Sequence, residues 1–251
     1  MAVQTKATEP LTVPRPRPSR RRKLMRWLGK ALITAGVVML LFVAWELWGT
    51  GIITSRYQDR FRDQISRDGF PSYEPGAGRI IPGNAIGFIR IPRIKLDMVF
   101  VQGIGVDPLK RGPGHYPTTP FPGQVGNVAI AGHRTTYLHP FWALNKVRPG
   151  DTIYVDTHRG HFAYEVVEFV VDPATRQRLQ VPFAVSPNGV WVLTPTKRPS
   201  LTLTTCNPRF SASQRLIVRA VQVGGPFPVG YYPPRARPSQ SVSPSPSPSA
   251  G

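Results

Sequence analysis

Leu201-Thr-Leu-Thr-Thr-Cys206 alternates leucine with threonine and closes on the only cysteine of a 251-residue chain. Successive side chains of a strand point to opposite faces. Leu201, Leu203 and Thr205 therefore share one face, and Thr202, Thr204 and Cys206 the other. The leucines are expected in a core, which leaves the thiol on the more polar face. A lone thiol outside the cytoplasm has no disulfide partner and is exposed to oxidation, so its retention points to chemistry rather than to packing.

Seven further runs share this strand character, at 85–91, 94–101, 127–132, 151–156, 161–171, 190–193 and 215–223. They are rich in β-branched and aromatic residues and are separated by Pro/Gly loops. Helical patterning is confined to short pieces near 107–110 and 140–146. Many short strands with little helix predict a mainly β fold, an eight-stranded closed or nearly closed barrel.

The flanks have a different composition. Among the first thirty residues there are nine Lys or Arg against one acid, Glu9. They lead into the apolar run LGKALITAGVVMLLFVAWELW at 28–48, about the length that crosses a ~30 Å hydrocarbon core. Trp27, Trp45 and Trp48 suit the two interfaces, and no small-x-small cleavage site follows the run. The expected organisation is a basic, disordered cytoplasmic tail (1–26), an uncleaved transmembrane signal anchor (27–53), a stalk or linker (54–78), a catalytic domain (79–223) and a disordered Pro/Ser-rich tail (224–251). In the stalk, Tyr57, Phe61 and Ile65 are spaced for one face of a short helix, with a mobile linker as the competing reading. The positive-inside rule puts the amino end in the cytoplasm and the catalytic domain outside the cell. The net charge of +19 is compatible with nucleic-acid binding. The position of the basic cluster favours lipid headgroups and an anionic wall surface instead, so no nucleic-acid partner is expected.

Two further residue types complete a reactive set. His133 ends the run Val128-Ala-Ile-Ala-Gly-His133, where alternation places it beside Ala129 and Ala131 with open space around the ring. Arg215 opens Arg215-Leu-Ile-Val, after a short loop that returns the chain toward Cys206. A thiol, an imidazole and a forked guanidinium supply a nucleophile, a proton carrier and an oxyanion donor for acyl transfer. Arg219, on the same face four residues on, reads as an edge charge.

The chain resembles the sortases, most closely the class E sortases of actinobacteria. The resemblance rests on Thr202-Leu-Thr-Thr-Cys206, Ala131-Gly-His-Arg-Thr-Thr-Tyr137 and Arg215-Leu-Ile-Val, in the family's order, and covers about 85–223. It implies a membrane-anchored cysteine transpeptidase on a sortase-type β-barrel preceded by one transmembrane helix. Such enzymes cleave a C-terminal sorting signal between Thr and Gly, hold the threonyl carbonyl as a thioester and pass it to an amine of a cell-wall precursor such as lipid II. Matching positions make Cys206 the nucleophile, His133 the general acid and then base, and Arg215 the oxyanion and substrate ligand. Tyr116, in Gly114-His-Tyr-Pro-Thr-Thr, stands where class E members carry a tyrosine associated with LAxTG in preference to LPxTG. Thr205, beside the nucleophile, is a candidate for shaping the substrate site, with core filling as its competing role.

No cofactor or metal is expected. No acid lies between Asp172 and Cys206 to furnish a calcium site, and His158-Arg-Gly-His161 reads as a hairpin turn. An L,D-type cysteine transpeptidase is a second reading, although its Ser-His-Gly-Cys signature is missing here. A non-catalytic, anchored wall-binding module is a third.

Overall fold

The computed structural model describes residues 20–45, 49–71 and 83–227, in two units divided after Trp45. The expected tails before residue 20 and after residue 227, and the linker portion at 72–78, lie outside the described residues. In the first unit, α1 (Arg20–Ala44) runs for 25 residues with no buried side chain and is long and apolar enough to cross a membrane. Arg20 to Arg26, assigned above to the basic tail, form its first turns.

The second unit is built on eleven strands: β1 (Ala85–Ile91), β2 (Leu96–Gln102), β3 (Gly114–His115), β4 (Asn127–Ala131), β5 (Thr152–Thr157), β6 (Gly160–Val166), β7 (Phe169–Val171), β8 (Arg178–Gln180), β9 (Phe183–Val185), β10 (Ser200–Asn207) and β11 (Gln214–Phe227). Eight of them follow one another in the order β10-β4-β3-β2-β1-β5-β6-β11, and pairing of β11 with β10 closes the ring. β9 hangs on the outside of β11, while β7 and β8 form a separate hairpin. The eight-stranded barrel expected from the strand runs, which the resemblance implies is of sortase type, is therefore present. Closure removes the open edges that a sheet of this size otherwise exposes.

The interior is filled by the inward sets of these strands, including Ile89, Phe100, Ile130, Ile153, Tyr164, Leu201, Leu203 and Ile217, all fully buried. Strand membership differs from the sequence expectation in several places. Residues 190–193 form a 3-10 turn, and the eighth barrel position is taken by the two-residue β3. The turn forms because the Val192 carbonyl is claimed from several sides. Asn127 Nδ2 donates to it at 2.9 Å and Arg219 Nη2 at 2.7 Å, with Thr202 Oγ1 at 3.4 Å. These side-chain donors replace a strand ladder. The 161–171 run splits into β6 and β7, and His158 and Arg159 occupy the tight turn of the β5–β6 hairpin, as expected.

α2 (Thr50–Asp68) packs on this barrel through a stripe that is more polar than its Tyr57, Phe61, Ile65 spacing suggested, with Thr50, Thr54, Gln58 and Ile65 buried. Gln58 explains the polarity. Beyond its ladder with β1, β2 leaves the main-chain groups of Val99 facing outward. The Gln58 amide accepts from Val99 N at 2.8 Å and donates to Val99 O at 2.9 Å and Arg111 O at 2.8 Å. A single side chain thus stands in for a missing strand. Thr54 adds a bond to Lys110 O at 2.7 Å, at the end of α3 (Val106–Arg111).

β3 and β4 are held in register around His115, which is completely buried. Its Nε2 donates to Pro120 O at 2.9 Å and its Nδ1 pairs with the Gln102 amide at 2.9 Å. Desolvation pushes this imidazole down to about 4, only partly opposed by the Pro120 bond. The unfolded chain takes up this proton near the ordinary histidine value and the native protein does not, so stability is present above that value and is lost as pH falls. Between pH ~6.5 and pH ~4 the loss from this group is about 3 kcal/mol. Urea unfolding at several pH values is expected to show that decline, and His115→Gln to flatten it.

Candidate active site

β10 lies between β4 on one side and β11 on the other. With β4 the register is parallel and pairs Leu203 with Ile130 and Thr204 with Ala131. Two residues further, the same register carries the chain from Ala131 to His133 and from Thr204 to Cys206. The approach is secured by Gly132 N donating to Thr204 O at 3.0 Å and by Thr205 Oγ1 donating to Gly132 O at 2.7 Å. Gly132 is required here for space, because a Cβ would stand 2.6 Å from the buried ring of Phe141. With β11 the register is antiparallel and pairs Cys206 directly with Arg215. Directly opposed residues of an antiparallel pair project to the same face. Imidazole, thiol and guanidinium are thus delivered to one end of three neighbouring strands.

Cys206 is half-buried and in no disulfide. His133 is also partly covered, and burial lowers its pKa from the ordinary value. Its ring lies 4.9 Å from that of Tyr137. Tyr137, Leu138 and His139 follow in succession with φ of 53°, 59° and 37°, a left-handed run that costs non-glycine residues energy. The run is held by His139 N donating to Thr136 O at 2.8 Å and Trp142 N to His139 O at 2.9 Å, while Tyr137 N reaches Thr50 Oγ1 at 3.4 Å. Arg215 spends one nitrogen, Nη1, on the carbonyls of Ala212 and Gln214 at 2.9 and 3.0 Å. Among the described residues its Nε and Nη2 have no partner, so both remain as donors.

A groove of about 150 Å³ opens beside Arg215, lined by Tyr116, Thr204, Arg215 and Ile217 and walled by residues of the 185–193 segment. Tyr116 is placed in it as a candidate substrate contact, its hydroxyl bonded to Thr204 Oγ1 at 3.0 Å. Thr205 is not in the groove. Its side chain is buried against Gly132 O, where it fixes the residue before His133. Thr204 takes the groove position, as the alternation that places it on the thiol's face already implied.

Arg134 is a second residue that sequence reasoning passed over, although it stands inside the His133 motif. It is buried, and its guanidinium donates to Cys206 O at 3.2 Å, Trp142 O at 3.2 Å and Asn145 Oδ1 at 3.1 Å. One side chain therefore ties the loop after His133 to the thiol-bearing residue. Desolvation and the nearby Arg209 lower its pKa, while proximity to Cys206 raises it. Among the described residues neither Arg134 nor Arg215 has a carboxylate partner, and no group of three His, Cys, Asp or Glu side chains gathers to hold a metal.

The sortase domain profile matches residues 89–223, more than half of the chain. The chain belongs to the sortase family. It is 33% identical over 208 residues to Sortase SrtE1 of Streptomyces coelicolor, covering 77% of this chain and 55% of that protein. It is 28% identical over 205 residues to Sortase SrtE2 of the same organism, covering 76% of this chain and 79% of that one. The chain thus spans about half the length of the first of these relatives. Both support its relation to the class E group. Among solved structures it is similar to a Clostridium perfringens Sortase D5 transpeptidase, with 27% identity and a TM-score of 0.53 over 68% of this chain and 99% of that one.

Arg134→Gln, which loses the forked bonds to Cys206 O and Trp142 O, is expected to lower stability in urea unfolding by about 2 kcal/mol. Arg134→Lys is expected to recover only part of that loss, because one ammonium does not reproduce the forked donor. Equal stability of the three proteins counts against the tether.

Proposed function

We propose that this chain is a membrane-anchored sortase that cuts a C-terminal LAxTG- or LPxTG-type signal between Thr and Gly and transfers the acyl group to an amine of a cell-wall precursor such as lipid II. The observation that carries this reading is the double register of β10, which sets Cys206 opposite Arg215 and two residues beyond the Thr204–Ala131 pair that leads to His133. The Cys206 thiolate attacks the threonyl carbonyl carbon, and the oxygen takes up negative charge toward the free Nε and Nη2 of Arg215. The C–N bond to glycine breaks as His133 gives its proton to the departing amine, leaving a thioester on Sγ. An incoming amine then adds to the same carbonyl, His133 takes back a proton, and the thiolate departs.

His133 acts first as an acid, and burial lowers its pKa, so the protonated ring is scarce at neutral pH. Tyr116, bonded to Thr204, narrows the groove that receives the residues before the scissile bond. This narrowing favours alanine over proline at the second position of the motif. The basic residues that open α1, with those preceding it, support an amino end in the cytoplasm and a barrel outside it.

The full chain in detergent is expected to cleave a fluorogenic LAxTG peptide. Cys206→Ala and His133→Ala are expected to abolish turnover. Arg215→Lys should fold normally and lose ~10²–10³ in kcat, because one ammonium does not reproduce a forked donor pair. Undiminished turnover by Cys206→Ala removes the thioester mechanism, whereas an unchanged kcat in Arg215→Lys removes only the oxyanion assignment.

A further inference from the structure

At the other end of the β10–β11 pair from the thiol lies a larger groove of about 390 Å³. It runs between the β7–β8 hairpin side and the 3-10 turn at Val190–Leu193, with Val167, Val170, Val171, Trp191 and Val221 supplying an apolar lining. Its polar part is Arg198, Arg219 and the hydroxyl residues Thr194, Thr196 and Ser200, and no carboxylate lines it.

Arg219 is unusual in this setting. It sits on β11 opposite Thr202, four residues from Arg215, and is only 8% exposed. Its Nη2 donates to Val192 O at 2.7 Å, but its Nε has no partner, and no acid among the described residues neutralises it. Burying an uncompensated guanidinium costs several kcal/mol, which is why buried charges in proteins are nearly always paired. Desolvation brings the group down to about 10, still charged at neutral pH. The sequence reading of Arg219 as a solvated edge charge is therefore corrected: the residue points a positive charge into an apolar groove.

We propose that this groove is a binding site for an apolar monocarboxylate of the medium-chain fatty-acid class, with its carboxylate on Arg219 and its hydrocarbon body along the β7–β8 side. The volume falls in the ~300–1,000 Å³ range that accommodates one small ligand rather than a folded partner. A single, largely buried guanidinium with one hydrogen bond and no acid beside it matches a single negative charge. Of the three hydroxyls in the lining, Ser200 Oγ is bonded to Thr196 Oγ1 at 2.7 Å and Thr196 Oγ1 to Arg198 O at 2.7 Å, an engagement that disfavours a phosphate headgroup. Exposed Arg198 at the rim guides an anion inward. The site shares one element with the groove at Arg215: Trp191 faces it, while Val190, Val192 and Leu193 wall the other groove. The ligand therefore rests against the turn that borders the substrate.

The test uses full-length Cys206→Ala protein in detergent, labelled with fluorotryptophan, and follows the Trp191 resonance by fluorine NMR, assigned with Trp191→Phe. Octanoate is expected to shift that resonance saturably, and the neutral octanamide to bind at least tenfold more weakly. Arg219→Gln is expected to raise the octanoate midpoint at least tenfold. Val171→Glu, which places a carboxylate at the exposed mouth without touching the core, is expected to do the same and decides the matter if Arg219→Gln does not fold. Equal binding of octanoate and octanamide, or an octanoate midpoint unmoved by Val171→Glu, overturns the proposal. Tighter binding of a lysophospholipid phosphate than of octanoate overturns the carboxylate assignment. No turnover is read, so the result stands apart from the sortase reaction.

Discussion

Hydrogen bonding on both sides of β10 is the constraint from which the rest of the structure follows. The strand is parallel to β4 and antiparallel to β11, so it is saturated along both edges and has no freedom to slip. A slip of one residue would exchange its two faces, sending Leu201 and Leu203 out of the core and Cys206 into it. The same register that buries the leucines therefore aims the thiol. Thr205 and Gly132 reinforce it where the ladder ends, by a side-chain bond in place of a main-chain one. Barrel closure through β10 and β11 makes the thiol-bearing strand part of the seam of the fold.

Around that seam the charge is one-sided. Arg134 is bound to the Cys206 carbonyl, and Arg209 stacks on Trp142 with its Cζ 4.0 Å from the ring centroid. Arg215 stands opposite the thiol residue in the ladder. Buried or half-buried cations without acids are costly in a resting protein. In the proposed reaction they are useful to the oxyanion, because the charges are already in place when the negative charge appears. The left-handed run at 137–139 belongs to the same economy. Local strain is accepted next to His133 and is held there by hydrogen bonds from the surrounding loop and from α2.

The 3-10 turn at Val190–Leu193 connects this seam to the remote groove. Its Val192 carbonyl is the meeting point of donors from β4, β10 and β11, and its side chains face two grooves at once. A turn suspended from three strands is stiff where the hydrogen bonds attach and adjustable at its flanks. That suits a wall shared by two grooves.

Period-two alternation and turn residues were enough to read a mainly β barrel of eight strands, and the motifs around Cys206, His133 and Arg215 were enough to read a sortase. The apolar run of α1 was equally legible, since length and composition alone define such a helix. These features are local, or repeat at short period, and a linear string preserves them. What the string did not carry were the long-range partners of polar side chains. Residues 190–193 look like a strand until Asn127, Thr202 and Arg219 are brought to one carbonyl from positions up to 65 residues away. Gln58 looks like a solvated stalk residue until β2 lacks a neighbour at Val99. Thr204 and Arg134 were visible in the motifs, but their roles depend on Tyr116 and on the Cys206 carbonyl, 88 and 72 residues distant in the chain. Hydrophobic pattern fixes which face is buried. Which polar groups meet across the fold is set only when closure of the barrel brings remote segments within hydrogen-bond reach.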